Sequence, residues 1–139
     1  MTSVTTQYKY GDKDARMAKI ERFEDLQSWQ KARVLANTIY SLTENPKFNK
    51  DFRLRDQIQD AAGSVMHNIA EGFDAGTNPE FIRFLKIARR SASEGQSELF
   101  LALDRKYINK EQLNTAYNLA TESKRLINGM IAYLRTSSS

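Results

Sequence analysis

The strongest constraint on the fold is a pair of apolar stripes within residues 58–103. In each half of this stretch, small or apolar residues recur in alternating steps of four and three. They are Ile58, Ala62, Val65, Ile69 and Gly72 in the first half, and Phe81, Leu85, Ala88, Ala92, Gly95, Leu99 and Ala102 in the second. A mean spacing of about 3.5 residues keeps one stripe of a helix against a neighbouring helix. The sequence therefore predicts two long helices folded back on each other across residues 72–79.

Two more segments carry stripes with similar spacing. The first predicts a helix over residues 24–43, ended by Pro46, and its stripe consists of Trp29, Ala32, Ala36, Ile39 and Thr43. The second predicts a helix that opens with a capping-box pattern at Asn109 and Gln112, and its stripe consists of Leu113, Ala116, Ala120, Ser123, Ile127, Met130 and Leu134. Because short connections favour antiparallel neighbours, we expect an all-α fold, an antiparallel up-down-up-down four-helix bundle.

Turn residues set the expected ends of the two central helices. The second helix begins near Asp51 and ends at Gly72 or Gly76, since either glycine suits the left-handed conformation that closes a helix. Asn78 is the expected N-cap of the third helix, with Pro79 in its first position. That helix should run to about residue 105.

Length and composition limit the remaining possibilities. The chain has 139 residues, which suits one domain, placed at residues 22–136 after a polar N-terminal tail at residues 1–21. No apolar run approaches the roughly 20 residues that span a bilayer, and the first residues lack a secretory signal pattern, so we expect a cytoplasmic protein without membrane contact. The absence of cysteine excludes disulfides, thiolate zinc sites and a cysteine nucleophile.

The sequence contains no motif of a catalytic or cofactor site. Its single histidine, His67, lies four residues before Glu71, but one histidine and no cysteine leave too few ligands for a closed metal site. Glu94 and Glu98 are also four residues apart, and we expect them on a solvated or subunit-facing edge. We therefore predict a non-enzymatic protein with no catalytic residue, no metal site and no cofactor. A metal-dependent enzyme that uses His67 and Glu71 is an alternative.

The charge distribution indicates an anionic partner. The net charge is +4, and Arg83, Lys86, Arg89 and Arg90 follow one another without an intervening acid. Helical spacing places three of them opposite the apolar stripe and Arg89 to one side, where such a row can neutralise phosphates. The row has no interleaved aromatic platform, which predicts binding to the nucleic-acid backbone with little sequence preference. An ordinary solvated face is the alternative. Candidates to extend the row in an assembly are Arg53, Arg55, Lys124 and Arg125.

Residues off the main stripes favour self-association. They are the apolar Leu119, Leu126 and Tyr133 on the last helix, Ile87 and Leu101 on the third, and the small Gly63, Ser64 and Ala70 on the second. The alternative is a wide core stripe with a few exposed apolar residues.

Three motifs carry a family resemblance: FEDLQSWQKA at residues 23–32, NIAEGF at residues 68–73 and FIRFLKIAR at residues 81–89. They resemble the bacterial four-helix-bundle proteins encoded in intervening sequences of the 23S ribosomal RNA gene. The resemblance implies a bundle assembled as a homopentameric ring and related to the basic accessory proteins of diversity-generating retroelements, which bind nucleic acid and a reverse transcriptase. It does not imply catalysis. The motif residues with a structural or interface role are Trp29, Asn68, Glu71, Gly72 and Phe84.

The charge row and the resemblance together predict an oligomeric accessory protein that binds RNA or DNA through basic helix surfaces. The rival hypothesis is a protein-interaction scaffold without a nucleic-acid role, in which the charges serve solubility. The chain departs from the family pattern at two places. Arg90 stands where the family commonly has glycine, which adds positive charge. Gly95 and Gln96 replace a leucine-bearing segment, which removes core volume from the stripe.

Overall fold

A computed structural model describes residues 5–7 and 18–137. The helices are α1 (Gln27–Thr43), α2 (Pro46–Lys50), α3 (Phe52–Phe73), α4 (Asn78–Asp104) and α5 (Lys110–Thr136). α3 packs against α1 and α4, and α5 packs against α4 and α1, so each of the four long helices has two neighbours. The predicted all-α fold with four long helices is confirmed.

A short antiparallel ribbon precedes the bundle. It consists of β1 (Thr5–Gln7) and β2 (Ala18–Ile20), with Thr5 opposite Ile20. Ile20 is buried and belongs to the hydrophobic core, so the end of the predicted N-terminal tail meets the bundle. Residues 1–4 and 8–17 of that predicted tail lie outside the described residues.

The predicted stripes form the core. Every stripe residue is buried except Trp29 and Gly95, which are half-buried. Beside Gly95, the buried Gln96 amide donates to the Tyr117 carbonyl at 3.2 Å and to the Thr121 hydroxyl at 2.9 Å. Gln96 therefore replaces the missing leucine volume with a polar link from α4 to α5, and both donors of its amide are satisfied.

The two glycines of the α3–α4 connection have different roles. Gly72 lies inside α3, where a Cβ atom would sit 2.8 Å from Phe81 Cδ1 and 2.9 Å from Phe84 Cβ. Gly76 lies in the turn with φ of +96°, in the left-handed region. Gly72 thus permits close helix packing, and Gly76 permits the reversal of the chain.

The start of α4 differs from the prediction. Thr77, not Asn78, is the N-cap, and its hydroxyl accepts from the Glu80 amide at 3.3 Å. The Asn78 side chain instead donates to the carbonyls of Leu134 and Ser137, both at 3.3 Å. Helix C-termini leave carbonyls without helical partners, and the Asn78 amide group satisfies two carbonyls at the end of α5 while the Thr77 hydroxyl caps α4.

Two other boundaries also differ from the prediction. α1 begins at Gln27, not at Glu24, because Phe23–Asp25 form a 3-10 turn and the buried Leu26 that follows has an extended conformation. The connection after α1 is itself helical in part. Asn45 caps α2 and Pro46 occupies the first turn, a combination that starts a helix as readily as it ends one. The predicted capping box of Asn109 and Gln112 at the start of α5 is confirmed.

We expect Gly72→Ala to destabilise the protein, because the added methyl group would meet Phe81 and Phe84 at less than contact distance. Overpacking of this kind costs about 1–3 kcal/mol, against the roughly 1 kcal/mol that alanine gains over glycine inside a helix. Thermal unfolding followed by circular dichroism measures the difference. Gly129→Ala is the matched control: nothing lies within 4 Å of its new Cβ, so it should raise Tm. Equal stabilisation by both changes would contradict close α3–α4 packing.

Candidate nucleic-acid interface

A groove between α4 and α5 collects most of the predicted cationic residues. It encloses about 470 Å³. Its lining residues, here called the basic groove, are Lys86, Arg89, Arg90, Ser93, Lys124 and Asn128. Four of the six carry a positive charge, and none of the six is acidic or aromatic. The groove is therefore a concentrated positive site open to an anion.

Two of the four cations are held in place across the groove. Arg89 donates from Nη1 to Asn128 Oδ1 at 2.7 Å, and Lys124 donates from Nζ to Ser93 Oγ at 3.2 Å. Both bonds join α4 to α5. The side chains of Lys86 and Arg90 are exposed and make no ion pair or hydrogen bond with any residue that the structure describes. No carboxylate among those residues is bonded to these two charges, which leaves them available to a ligand.

Arg83, the fourth residue of the predicted row, lies outside the basic groove. Its guanidinium makes a 3.1 Å ion pair with Glu80 and stacks 4.5 Å above the Phe84 ring. The structure therefore groups three of the four predicted residues and adds Lys124, which the sequence suggested only as an extension. Ser93 and Asn128 were missed, because their contribution depends on the offset between α4 and α5, and helical periodicity does not specify that offset.

The other suggested cations do not join the groove. Arg55 pairs with Asp56 at 2.9 Å and lies over the Phe52 ring, near the start of α3. Arg125 pairs with Glu122 and, with Lys31 of α1, lines a different groove between α1 and α5. Within this chain, the basic groove is therefore confined to the facing surfaces of α4 and α5.

A group of carboxylates lies where α4 approaches α3. Glu98 lies near Asp60 of α3 and Glu94 of α4, and these three residues are here called the acidic cluster. Glu98 Oε1 is buried and has no hydrogen-bond partner among residues 5–7 and 18–137. Burial raises the pKa of Glu98 to about 7, and the neighbouring charges of Glu94 and Asp60 add to the shift. The sequence predicts a solvated or subunit-facing edge for Glu94 and Glu98. Glu94 is exposed, whereas Glu98 is half-buried beside Asp60 of α3, so a purely solvated position does not describe Glu98.

Four of the five motif residues make contacts within the fold. Trp29 packs edge-on against Phe23, with ring centroids 5.2 Å apart. Asn68 donates to the carbonyl and hydroxyl oxygens of Ser64, and Ser64 Oγ lies 2.8 Å from Ser91 Oγ of α4. The other two, Gly72 and Phe84, meet at the α3–α4 contact described above, whereas Glu71 is exposed.

The alternative metal site is not assembled. His67 and Glu71 are both exposed, and the His67 ring lies beside Gly63 of its own helix. In the part of the chain that the structure describes, no group of three or more His, Cys, Asp or Glu residues could hold a metal ion. Among the same residues, no helix is long and apolar enough to cross a membrane.

The fold and the groove define a class of small four-helix bundles with a cationic surface. This chain belongs to the 23S rRNA-intervening sequence protein family, whose family model matches residues 24–129. The resemblance inferred from the three motifs is therefore confirmed. The expected homopentameric ring stays a prediction, because the structure describes a single chain.

The chain is also similar to a solved structure. It aligns with a crystal structure from Bacteroides thetaiotaomicron, described as a protein with unknown function from the S23 ribosomal protein family, with 30% identity and a TM-score of 0.69. The alignment covers 75% of this chain and 97% of that chain. No curated protein matches this chain.

We expect Glu98→Gln to raise Tm above pH 7 and to have much less effect near pH 4.5. The folded protein keeps the Glu98 proton up to about pH 7, whereas the unfolded chain releases it near 4.5, so stability falls as pH rises between these values. A neutral amide avoids this loss, which is on the order of 1 kcal/mol after allowance for partial solvent exposure.

Melting curves at the two pH values measure this effect. Glu21→Gln is the control, because Glu21 is exposed and should give the same Tm as the unmodified protein at both pH values. A Glu98→Gln effect that is independent of pH would contradict the raised pKa.

Proposed function

We propose that this protein is a non-enzymatic accessory protein that binds RNA or DNA through the phosphates of the backbone. The observation that carries the proposal is the basic groove, in which four cations line one concavity without a carboxylate. Lysine and arginine side chains that neutralise phosphates release condensed counterions, and this release dominates the affinity of sequence-independent binding.

The composition of the groove supports backbone binding over base recognition. Arg89 and Lys124 are oriented by neutral side chains, and Lys86 and Arg90 face solvent. No aromatic ring lines the groove, so it lacks a platform on which bases would stack. The name of the family refers to a ribosomal RNA intervening sequence, which makes RNA the first ligand to test.

The triple variant Lys86→Gln/Arg90→Gln/Lys124→Gln should weaken RNA binding by more than about tenfold at low salt. The slope of log affinity against log salt concentration should become shallower by about 2 to 3, because each lost phosphate contact removes nearly one released counterion. Fluorescence anisotropy with a structured RNA over a salt series measures both quantities.

The matched control removes three positive charges elsewhere. Lys47→Gln/Lys50→Gln/Lys110→Gln changes three exposed lysines at the end of the bundle where α2 and the α4–α5 turn lie, away from the groove. This control should bind RNA almost as well as the unmodified protein. Equal losses of RNA affinity in the two triple variants would assign binding to net charge alone. Unchanged RNA affinity in both variants would exclude the basic groove as the binding site.

We also propose that the protein acts as a homo-oligomer, the pentamer that the family resemblance implies. Among the side chains that the structure describes, five large hydrophobic ones are exposed: Val34, Tyr40, Phe52, Phe100 and Leu101. The small residues of α3 give less support than expected, because Ser64 bonds Ser91 within the chain and His67 lies beside Gly63. The same exposed residues would serve a protein-interaction scaffold, which is the second candidate function.

Light scattering coupled to size-exclusion chromatography should give the mass of five copies of the 16.0 kDa chain. The reason is that an assembly would cover the exposed apolar side chains, whose burial is favourable by about 25 cal/mol per Å². The mass should persist at high salt, because apolar burial is not screened. A monomer mass at all concentrations would contradict the oligomer.

A further inference from the structure

The basic groove groups four positive charges in a short stretch of the surface. Its four cations come from two helices and line about 470 Å³. From this grouping we propose that the groove binds the terminal phosphate group of a nucleic acid strand in preference to internal phosphodiesters. This inference rests on the nucleic-acid binding proposed above and specifies which part of the ligand enters the groove.

A terminal phosphate matches this arrangement in charge and in acceptors. A phosphomonoester carries about −1.5 to −2 at neutral pH and presents three strong acceptor oxygens, whereas each internal phosphodiester carries a single charge. A terminal triphosphate places still more charge in the same volume. Charge-assisted hydrogen bonds from several cations to one such group are short and strong. Four cations in one short groove therefore favour a strand end over a continuous backbone.

The basic surface is also short. Lys86 and Ser93 are seven residues apart, which is roughly 10 Å along a helix, against about 34 Å for one turn of a DNA duplex. Toward the start of α4, the next cation of the row, Arg83, is already paired with Glu80. A strand that continued in that direction along α4 would find no unpaired cation in the row, whereas a strand end in the groove needs none beyond it.

The groove is partly arranged before a ligand arrives. Asn128 orients Arg89 at 2.7 Å, and Ser93 orients Lys124 at 3.2 Å. These two cations lose less side-chain entropy on binding than free ones would. The Ser93 hydroxyl and the Asn128 amide are neutral donors beside the cations, and both can turn toward a phosphate oxygen.

The test compares short RNAs of one sequence, labelled at the 3′ end, that carry a 5′-hydroxyl, a 5′-monophosphate or a 5′-triphosphate. Anisotropy at about 0.1 M salt should show affinity rising in that order, by about tenfold or more overall. A fourth RNA with a 5′-hydroxyl and a 3′-phosphate, labelled internally, distinguishes the two strand ends, and inorganic tripolyphosphate tests the phosphate group without a strand.

Single variants assign the effect to the groove. Arg90→Gln and Lys124→Gln should each reduce the affinity ratio between triphosphate and hydroxyl RNA toward one. Arg83→Gln, on the same helix but paired outside the groove, should leave that ratio unchanged. Tripolyphosphate should compete with the triphosphate RNA for the groove, and persistence of that RNA on the protein at saturating tripolyphosphate would contradict the inference.

The outcomes separate this inference from the proposed function. Equal binding of all RNAs, with equal losses in the groove variants, would overturn the terminal-phosphate inference and leave backbone binding in place. Binding of none of the RNAs would overturn both. The inference would be supported if a phosphate at either strand end raises the affinity, and if this increase disappears in Arg90→Gln and Lys124→Gln but not in Arg83→Gln.

Discussion

The close approach of α3 and α4 determines in which direction the side chains of α4 point. At one end Gly72 leaves room for Phe81 and Phe84, and at the other end a Cβ on Gly95 would lie 4.0 Å from Ala61. Between these contacts the Ser64 and Ser91 hydroxyls lie 2.8 Å apart. Small residues let the two backbones come together, and the hydroxyl pair adds a polar contact that suits one register. Once this register is set, the outward direction of every α4 side chain is set as well.

The rotation of α4 produces two flanks of opposite charge. Toward α5 the helix presents Arg89 and Ser93, which meet Asn128 and Lys124, and toward α3 it presents Glu98 near Asp60. Both flanks are built on partners from a neighbouring helix. The positive flank is bonded across the helix pair and accessible to an anion, whereas the negative flank has a buried carboxylate oxygen without a partner among the described residues. The raised pKa of Glu98 and the basic groove are therefore two consequences of one helix orientation.

The sequence was sufficient to predict the bundle, because each helix has a continuous stripe and a stripe needs only local spacing. The same holds for the capping box at Asn109, which is complete within four residues. Predictions about contacts between two helices were less accurate. Asn78 has the chemistry of an N-cap but bonds to α5, and Thr77 takes the cap. To predict the groove, one would have to know the offset between α4 and α5 that places Lys124 beside Ser93. To predict the partial burial of Glu98, one would have to know the position of α3. Periodicity shows which face of a helix is buried, but not which residue of the neighbour it meets.

The Asn78 side chain links two regions that are far apart in the chain. Its amide reaches the Leu134 and Ser137 carbonyls, so the first turn of α4 and the last turn of α5 form one hydrogen-bonded unit. Helix ends normally fray independently, but here the opening of one end would break contacts of the other. An opening at the start of α4 should consequently also lower the protection of the amide hydrogens at the end of α5 against exchange with solvent.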